Sequence, residues 1–414
     1  MSDDPEETFA GLASSYDRMF WLDGGGSRPW SGRRSILGAL RDRDVSLTFD
    51  AGRREVTRHQ HGRADVVGDD VFTVLAEEVA RDRGDAAVSW VGYLGYACRT
   101  DLPATPAGQA PDAVWMRVRD PLVVEHHRSA TAQTVTGRTE RSARPEWYDG
   151  AFAEVQRQLR LGNTYEVNLT YREAVTAHVD PVTTYRRLRA TNPAPYAGYL
   201  QHHGTHLLSS SPERFATIDR DRWLETKPIK GTTPRGTTDE EDERLRQALA
   251  TEPKFRSENL MIVDLLRNDL SMVCAPGTVT VPVLMDVESY PTVHQLVSTV
   301  RGRLRDDVGT VDALRSLFPA GSMTGAPKLR TMQVIDAVEE TPRGAYAGAF
   351  GWIGADGRAD LGVVIRSLVA TAAGPGAWRY ELGTGGGITV RSDLTEEFAE
   401  TRWKAERLLQ ALRR

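Results

Sequence analysis

The chain has 414 residues, 40% apolar and 26% charged, an ordinary globular balance that excludes wholesale disorder and a fibrous repeat. A net charge of -5, with no basic block and no interleaved basic and aromatic stripe, gives nucleic-acid binding no electrostatic support. No run approaches the roughly 18 apolar residues of a membrane span, and the acidic start MSDDPEETFA lacks a signal-peptide pattern, so a cytoplasmic protein with no membrane partner is expected.

Residues 1 to about 145 read as a mixed N-terminal subdomain. It contains WSGRRSILGAL, the strand-like VSLTFD, a helical stretch near Asp70 to Asp82, and SWVGYLGYACR. TDLPATPAGQAPD, from Thr100 to Asp112, reads as a loop, and the polar TGRTERSARP, from Thr136 to Pro145, marks a soft boundary. From Glu146 to the end at 414 the pattern sharpens. EWYDGAFAEVQRQLRL has helical spacing and stops at Gly162-Asn163, and TYEVNLTYREAV then alternates as a strand does. Thr238-Asp239 and Pro253 mark two successive helix starts, the second leading into SENLMIVDLLRNDL. The remainder alternates strands (STVRGRL, GAFGWIG, VVIRSLVAT, WRYELGT) with helices. Short Gly-containing turns such as the one in GWIGADGRADLGVVI predict antiparallel pairing and an α+β fold rather than regular βαβ units.

Only five of the 52 basic residues are lysines: Lys227, Lys230, Lys254, Lys328 and Lys404. Guanidinium stays protonated, so a chain that otherwise uses Arg makes each Lys a candidate for a deprotonatable amine. Lys230 sits in the tight Pro-Ile-Lys-Gly-Thr stretch of KPIKGTTPRG, which fixes its direction, but nucleophilicity requires burial or cationic neighbours that the sequence does not show. In the last helix, Asp393 and Glu396 form a capping-box-like pair, and Phe398, Ala405, Leu408, Leu409 and Leu412 form an apolar stripe. Beside it Glu397, Glu400 and Lys404 fall at i, i+3 and i+7. Such a face is either a solvated ion-pair surface or a site for a hard divalent cation and an anion. GTGGGI, residues 383 to 388, lacks the GxGxxG spacing of a dinucleotide site and reads as a flexible turn or as bare backbone for a carboxylate. Arg366, alone in an apolar run, needs an anion if it points inward: a ligand carboxylate or a core Asp. Glu213, Glu258 and His294 carry no special signal by themselves.

Taken together, SSSPERF, KPIKGTTPRG, ENLMIVDLLRNDL, VHQLVSTV, FPAGSMTGAPK, GAFGWIG, VVIRSLV and GTGGGITVRSDLTEEFAETRWKAE resemble the chorismate-utilising enzymes, in that family's order, over residues 150 to 412. FWLDGGGSRPWSGRRSILGA and WVGYLGYACR extend the likeness loosely into the N-terminal third. The resemblance implies one large α+β fold in which antiparallel sheets are layered between outer helices. It implies Mg²⁺ ligation by Glu258 and Glu400 with Glu397 nearby. Tyr346, Arg366, Lys404 and the backbone of Gly386 and Gly387 are implied to hold the two carboxylates of chorismate, and Glu213 and His294 to lie near its ring oxygens.

Within the family, Lys230 matches the aminodeoxychorismate synthase component I branch, where anthranilate synthases have Ala. Glu166 stands where isochorismate and salicylate synthases carry a water-activating Lys and where many aminodeoxychorismate synthases have Gln. The implied reaction is addition of Lys230 to C2 of chorismate, with Glu213 as acid and base, followed by attack of ammonia at C4. Cys98 and Cys274 lack the Gly-flanked turn of a glutaminase nucleophile, so ammonia is expected from a separate glutamine amidotransferase subunit. Anthranilate synthase component I is the alternative reading, followed by a non-catalytic regulatory relative.

Overall fold

The structure, a computed structural model, describes residues 4–24, 34–126, 144–290 and 293–413. Residues 136–143 of the polar boundary stretch, and residues 25–33 within FWLDGGGSRPWSGRRSILGA, lie outside the described residues.

Two sheets are stacked, and every strand pairing among the described residues is antiparallel. The nine-stranded sheet runs Gly325–Ala326, Glu166–Ala177, Ala377–Ile388, Ser367–Gly374, Thr205–Ser211, Tyr196–His202, Arg18–Asp23, Arg34–Ala39, Leu122–Glu125. The twelve-stranded sheet begins Ile229–Pro234, Val293–Arg303, Trp223–Lys227, Arg214–Ile218, Ala359–Val363, Ala349–Gly354, Val88–Leu94, and ends in four N-terminal strands; Thr280–Ser289 also pairs with Val293–Arg303. Phe20, Leu200 and Leu207 from one sheet meet Val91, Tyr93, Val114 and Phe350 from the other, forming the core between the layers.

Helices cover both outer faces. Pro5–Ser15, Pro181–Thr191 and Leu394–Ala411 place Phe9, Tyr185, Leu188 and Leu408 on the nine-stranded sheet. Val71–Arg81, Pro253–Ser271 and Thr310–Leu317 place Phe72, Ile262, Leu266 and Leu314 on the twelve-stranded one. Each such fully buried side chain contributes about 1.5–3 kcal/mol, so the four layers hold together by ordinary apolar burial. This is the α+β arrangement of antiparallel sheets between outer helices that the sequence leads one to expect.

Local signals account for the helix ends. The Asp393 side chain accepts from the backbone N–H of Thr395 and Glu396 at the start of Leu394–Ala411. Thr238 caps Asp239–Thr251, Pro253 opens Pro253–Ser271, and Gly162, at φ +73°, follows Glu146–Arg160. No helix among the described residues is long and apolar enough to cross a membrane.

Two readings need correction. VVIRSLVAT is two strands, not one: Ala359–Val363 lies in the twelve-stranded sheet and Ser367–Gly374 in the nine-stranded sheet. An apolar run that passes from one buried layer to another has no polar punctuation to reveal the break. GTGGGI is not a flexible turn. Its residues belong to the strand Ala377–Ile388 and pair with Val167 through Arg172.

Both sheets take strands from either side of residue 145. Arg18–Asp23 pairs with Tyr196–His202, and Val88–Leu94 pairs with Ala349–Gly354.

Candidate active site

The chain passes between the sheets as a ribbon. Thr205–Ser211 pairs with Ser367–Gly374 in one sheet, and their continuations, Arg214–Ile218 and Ala359–Val363, pair in the other. Glu213 and Arg366 sit at the bend of this ribbon. Arg366 takes φ +51°, a left-handed conformation that costs an L-residue roughly 1–2 kcal/mol and needs the surrounding structure to hold it. Beyond the bend, Ala377–Ile388 continues past Leu382, the last residue paired with the forward part of Ser367–Gly374. The side of the strand left open faces a cavity of about 220 Å³, closed by the helices Pro253–Ser271 and Leu394–Ala411.

Three of the five lysines, Lys230, Lys254 and Lys404, line this cavity. Lys230 is buried on Ile229–Pro234 and donates to the Oε1 of Glu166, itself 1% exposed at the start of Glu166–Ala177. Burial alone would depress the Lys230 ammonium, but Glu166, Glu258 and Glu213 outweigh it and hold its pKa above the usual lysine value. Gly387 makes the pair possible, because a Cβ there would lie 2.3 Å from Glu166 Oε1 and 3.2 Å from Lys230 Nζ. Glu213 accepts a 2.5 Å hydrogen bond from Ser322 Oγ, and burial pushes its carboxyl up to about 7 against the opposing pull of Ser322, Lys230 and Lys404.

The face at i, i+3 and i+7 of the last helix turns toward the cavity rather than to solvent. Glu397, 2% exposed, accepts from Lys254 Nζ at 2.7 Å; Glu400 pairs with Lys404 at 2.7 Å; Lys404 also donates to the Gly385 carbonyl at 3.0 Å. Glu258 lines the same cavity from Pro253–Ser271. Burial raises its carboxyl to about 7, and its Oε1 is buried without a hydrogen-bond partner. Carboxylate oxygens with one such orphan suit a hard cation. Among the described residues no three acidic, His or Cys side chains form a ready-made metal cluster; Lys254 pairs with Glu397 and Lys404 with Glu400.

Tyr346 and Arg366 complete the cavity wall. Gly383 leaves room for the Tyr346 ring, which an added Cβ would approach to 2.1 Å. Arg366 has no core Asp: it forms no salt bridge among the described residues and lies over the Trp403 ring at 5.4 Å. Burial, then Arg407, lowers it to about 10. A guanidinium so placed is ready for a carboxylate from outside the chain.

His294 lies elsewhere. It is fully buried, with Nδ1 2.8 Å from Ser289 Oγ and Nε2 3.0 Å from Asp242 Oδ1, and it does not line the cavity. Strand alternation turns the next residue, Gln295, to the cavity instead. The glycine backbone shifts by one residue in the same way. The Gly385 carbonyl accepts from Lys404 and the N–H groups of Thr170 and Asn168 bond away from Ala377–Ile388, so Gly385 and Gly387 present their backbone to the cavity. Gly386 lines the cavity too, but it is opposite Leu169, so its backbone polar groups face Glu166–Ala177. Lys254, Ser322 and Gln295 line the cavity, and Glu166 stands behind Lys230 as its acceptor; none of the four had an assigned role from sequence, although the scarcity of lysine pointed to Lys254.

Comparison with known proteins supplies the family. A profile described as "chorismate binding enzyme" matches residues 128–410. The chain is 39% identical to an "Aminodeoxychorismate synthase" of Streptomyces pristinaespiralis over 99% of its own length and 64% of the relative's. It is also 39% identical to the protein of that name in Streptomyces griseus, over 99% and 63%. The chain thus spans less than two thirds of the length of these relatives. Anthranilate synthase component I from Streptococcus pneumoniae TIGR4 superposes with a TM-score of 0.74 at 25% identity, covering 92% of each chain. With a family match over residues 128–410 and a charged cavity lined by residues from that span, the chain belongs to the chorismate binding enzyme family.

Proposed function

We propose that this chain is the chorismate-aminating component of aminodeoxychorismate synthase, a Mg²⁺-dependent enzyme that receives ammonia from a separate glutamine amidotransferase. The observation that carries the reading is Lys230: a buried amine aimed into the cavity, with Glu166 as its hydrogen-bond acceptor and Glu213 contributing a raised carboxyl to the same space. The likeness to the two Streptomyces proteins called aminodeoxychorismate synthase supports it.

Chorismate carries two carboxylates, and the cavity offers Arg366, Lys404 and the open backbone at Gly387 to receive them. Mg²⁺, held by Glu258 and Glu400 with Glu397 nearby, would neutralise and orient the ring carboxylate. Lys230 sheds a proton to Glu166, the acceptor it already contacts, and its lone pair forms a bond to C2 of the ring. The two ring double bonds shift and the C4–O bond breaks, with the Glu213 carboxyl protonating the hydroxyl so that water leaves. Ammonia then bonds to C4, the double bonds shift back, the C2–N bond to Lys230 breaks, and Glu213 takes the surplus proton. The enolpyruvyl group is retained, giving 4-amino-4-deoxychorismate; a separate lyase would release pyruvate and 4-aminobenzoate, the folate precursor.

Neither cysteine suits a glutaminase. Burial holds the Cys98 thiol well above its ordinary value and raises Cys274 to about 11, whereas attack on an amide needs a thiolate. Neither lines the cavity. The test is incubation with chorismate, Mg²⁺ and ammonium salt, read by mass spectrometry. The aminated product should form increasingly as pH rises toward the ammonium pKa, and not from glutamine until an amidotransferase subunit is added. Anthranilate as product, or glutamine-dependent amination by the chain alone, overturns the reading.

A further inference from the structure

Behind the Tyr346 ring lies a second, small cavity of about 10 Å³, lined by Arg172, Arg343, Tyr346, Ser367, Glu381 and neighbouring apolar residues and glycine. Tyr346 and Gly383 line this space on one side and the active cavity on the other, so the two are separated by a single layer of side chain and backbone.

Two buried guanidiniums meet beside it, and one of them is incompletely bonded. Arg172 and Arg343 are 5% and 2% exposed and share one carboxylate, Glu339, 4% exposed. Glu339 is saturated: Oε1 accepts from Thr170 N–H, Thr170 Oγ1 and Arg343, and Oε2 accepts from Arg172 and Arg343. Arg343 is satisfied as well, donating to the carbonyls of Met323 and Asn168 besides Glu339. Arg172 is not. Its Nη2 reaches Thr170 Oγ1 at 2.8 Å and Glu339 Oε2 at 2.9 Å, while Nε and Nη1 are buried with no partner. Glu381, the other carboxylate at the cavity, is paired with Arg379 at 2.9 Å. Glu381 still attracts Arg172 through space, and ring faces add to this, Tyr346 at 5.1 Å from the Arg172 guanidinium and Tyr96 at 4.4 Å from that of Arg343, but none of these groups fills the two open N–H positions, so Arg172 is the less compensated of the two guanidiniums. A buried charge with two unmade hydrogen bonds is among the most costly features a fold can carry.

We propose that this cavity is a binding site for one small monovalent inorganic anion of chloride size, held by Nε and Nη1 of Arg172. A water molecule would fill the hydrogen bonds but leave the charge, and a tetrahedral oxyanion exceeds the space. The anion offsets a positive charge directly behind Tyr346, so it sets the field that a ligand carboxylate meets on the other side of that ring. The inference rests on Arg172 and its surroundings and is independent of the reaction carried out in the larger cavity.

The experiment uses the intact chain. Crystals grown or soaked in sodium bromide should show an anomalous peak within hydrogen-bond distance of Arg172 Nε and Nη1. In solution, chloride and bromide should raise Tm saturably, by about 3 °C at a hundredfold excess over Kd, where sodium gluconate of equal ionic strength gives no saturable rise. Arg172→Gln should abolish the halide-dependent part. The proposal stands only if the wild type shows both the peak and the saturable rise. Water at the position, or equal effects of halide and gluconate, overturns it whether or not the variant folds.

Discussion

Replacing Glu213 by Gln should make the protein more stable and nearly inactive. In the folded chain burial holds this carboxyl at about 7, against 4.5 for an ordinary glutamate. The folded state therefore binds the proton more tightly than the unfolded state, so the penalty is absent below pH 4.5, grows as pH rises toward 7, and is constant above it. At pH 8 the ionised side chain costs the fold about 3 kcal/mol, at 1.36 kcal/mol for each tenfold change in proton affinity. Gln keeps the length and an oxygen to accept from Ser322 Oγ, while removing the charge. For a chain of this size the gain corresponds to roughly 3 °C in Tm. Loss of the proton donor should lower turnover by about 10²–10⁴-fold. Differential scanning fluorimetry of wild type and Glu213→Gln at pH 5 and pH 8, together with turnover of chorismate followed by mass spectrometry, measures both. A variant less stable than wild type at pH 8, or a difference that does not change with pH, would refute the argument that desolvation of this carboxylate is what raises it.

Lys230→Arg should lose turnover on the order of 10³-fold or more, as Lys230→Ala does, because a guanidinium keeps its proton and has no free lone pair; full activity in the Arg variant excludes covalent catalysis. Gly387→Ala places a methyl group 2.3 Å from Glu166 Oε1, and displacing the Glu166–Lys230 pair by about 1 Å should cost about 10²-fold in kcat with little change in Tm. Glu258→Gln removes an anionic oxygen from the expected hard-cation site; calorimetry should show Mg²⁺ binding weakened at least about tenfold, and unchanged binding assigns the metal elsewhere.

The last helix was legible from sequence in nearly every respect: its Asp393 cap, its apolar stripe, and the face carrying Glu397, Glu400 and Lys404. Periodicity of 3.6 distinguishes one face of a helix from another whenever one of them is apolar. The strands at the site gave no such cue. Val293–Arg303 is buried on both sides along most of its length, so no polar alternation shows which of His294 and Gln295 meets the cavity. The one-residue offset between Gly386 and its neighbours has the same origin, since three successive glycines carry no facial information at all. Glu166 and Lys230 are 64 positions apart and meet only because their strands end at the same cavity. Arg366 could be recognised as a charge needing an anion, but that no carboxylate among the described residues forms a salt bridge with it is a property of the tertiary arrangement alone.

The interleaving of N-terminal and C-terminal strands bears on how the protein can be divided. A chain cut between residues 126 and 144 would separate Arg18–Asp23 from Tyr196–His202 in covalent terms while leaving their ladder, and that of Val88–Leu94 with Ala349–Gly354, in place. The two pieces would then behave as a split protein, held together by strand pairing and the core between the sheets. Expressed by itself, the C-terminal piece would present two long, unpaired apolar strand edges, open templates for pairing with other copies of itself. Restoring the N-terminal piece in trans should return it to solution, which makes this junction a candidate place for a complementation reporter read by the proposed chorismate turnover.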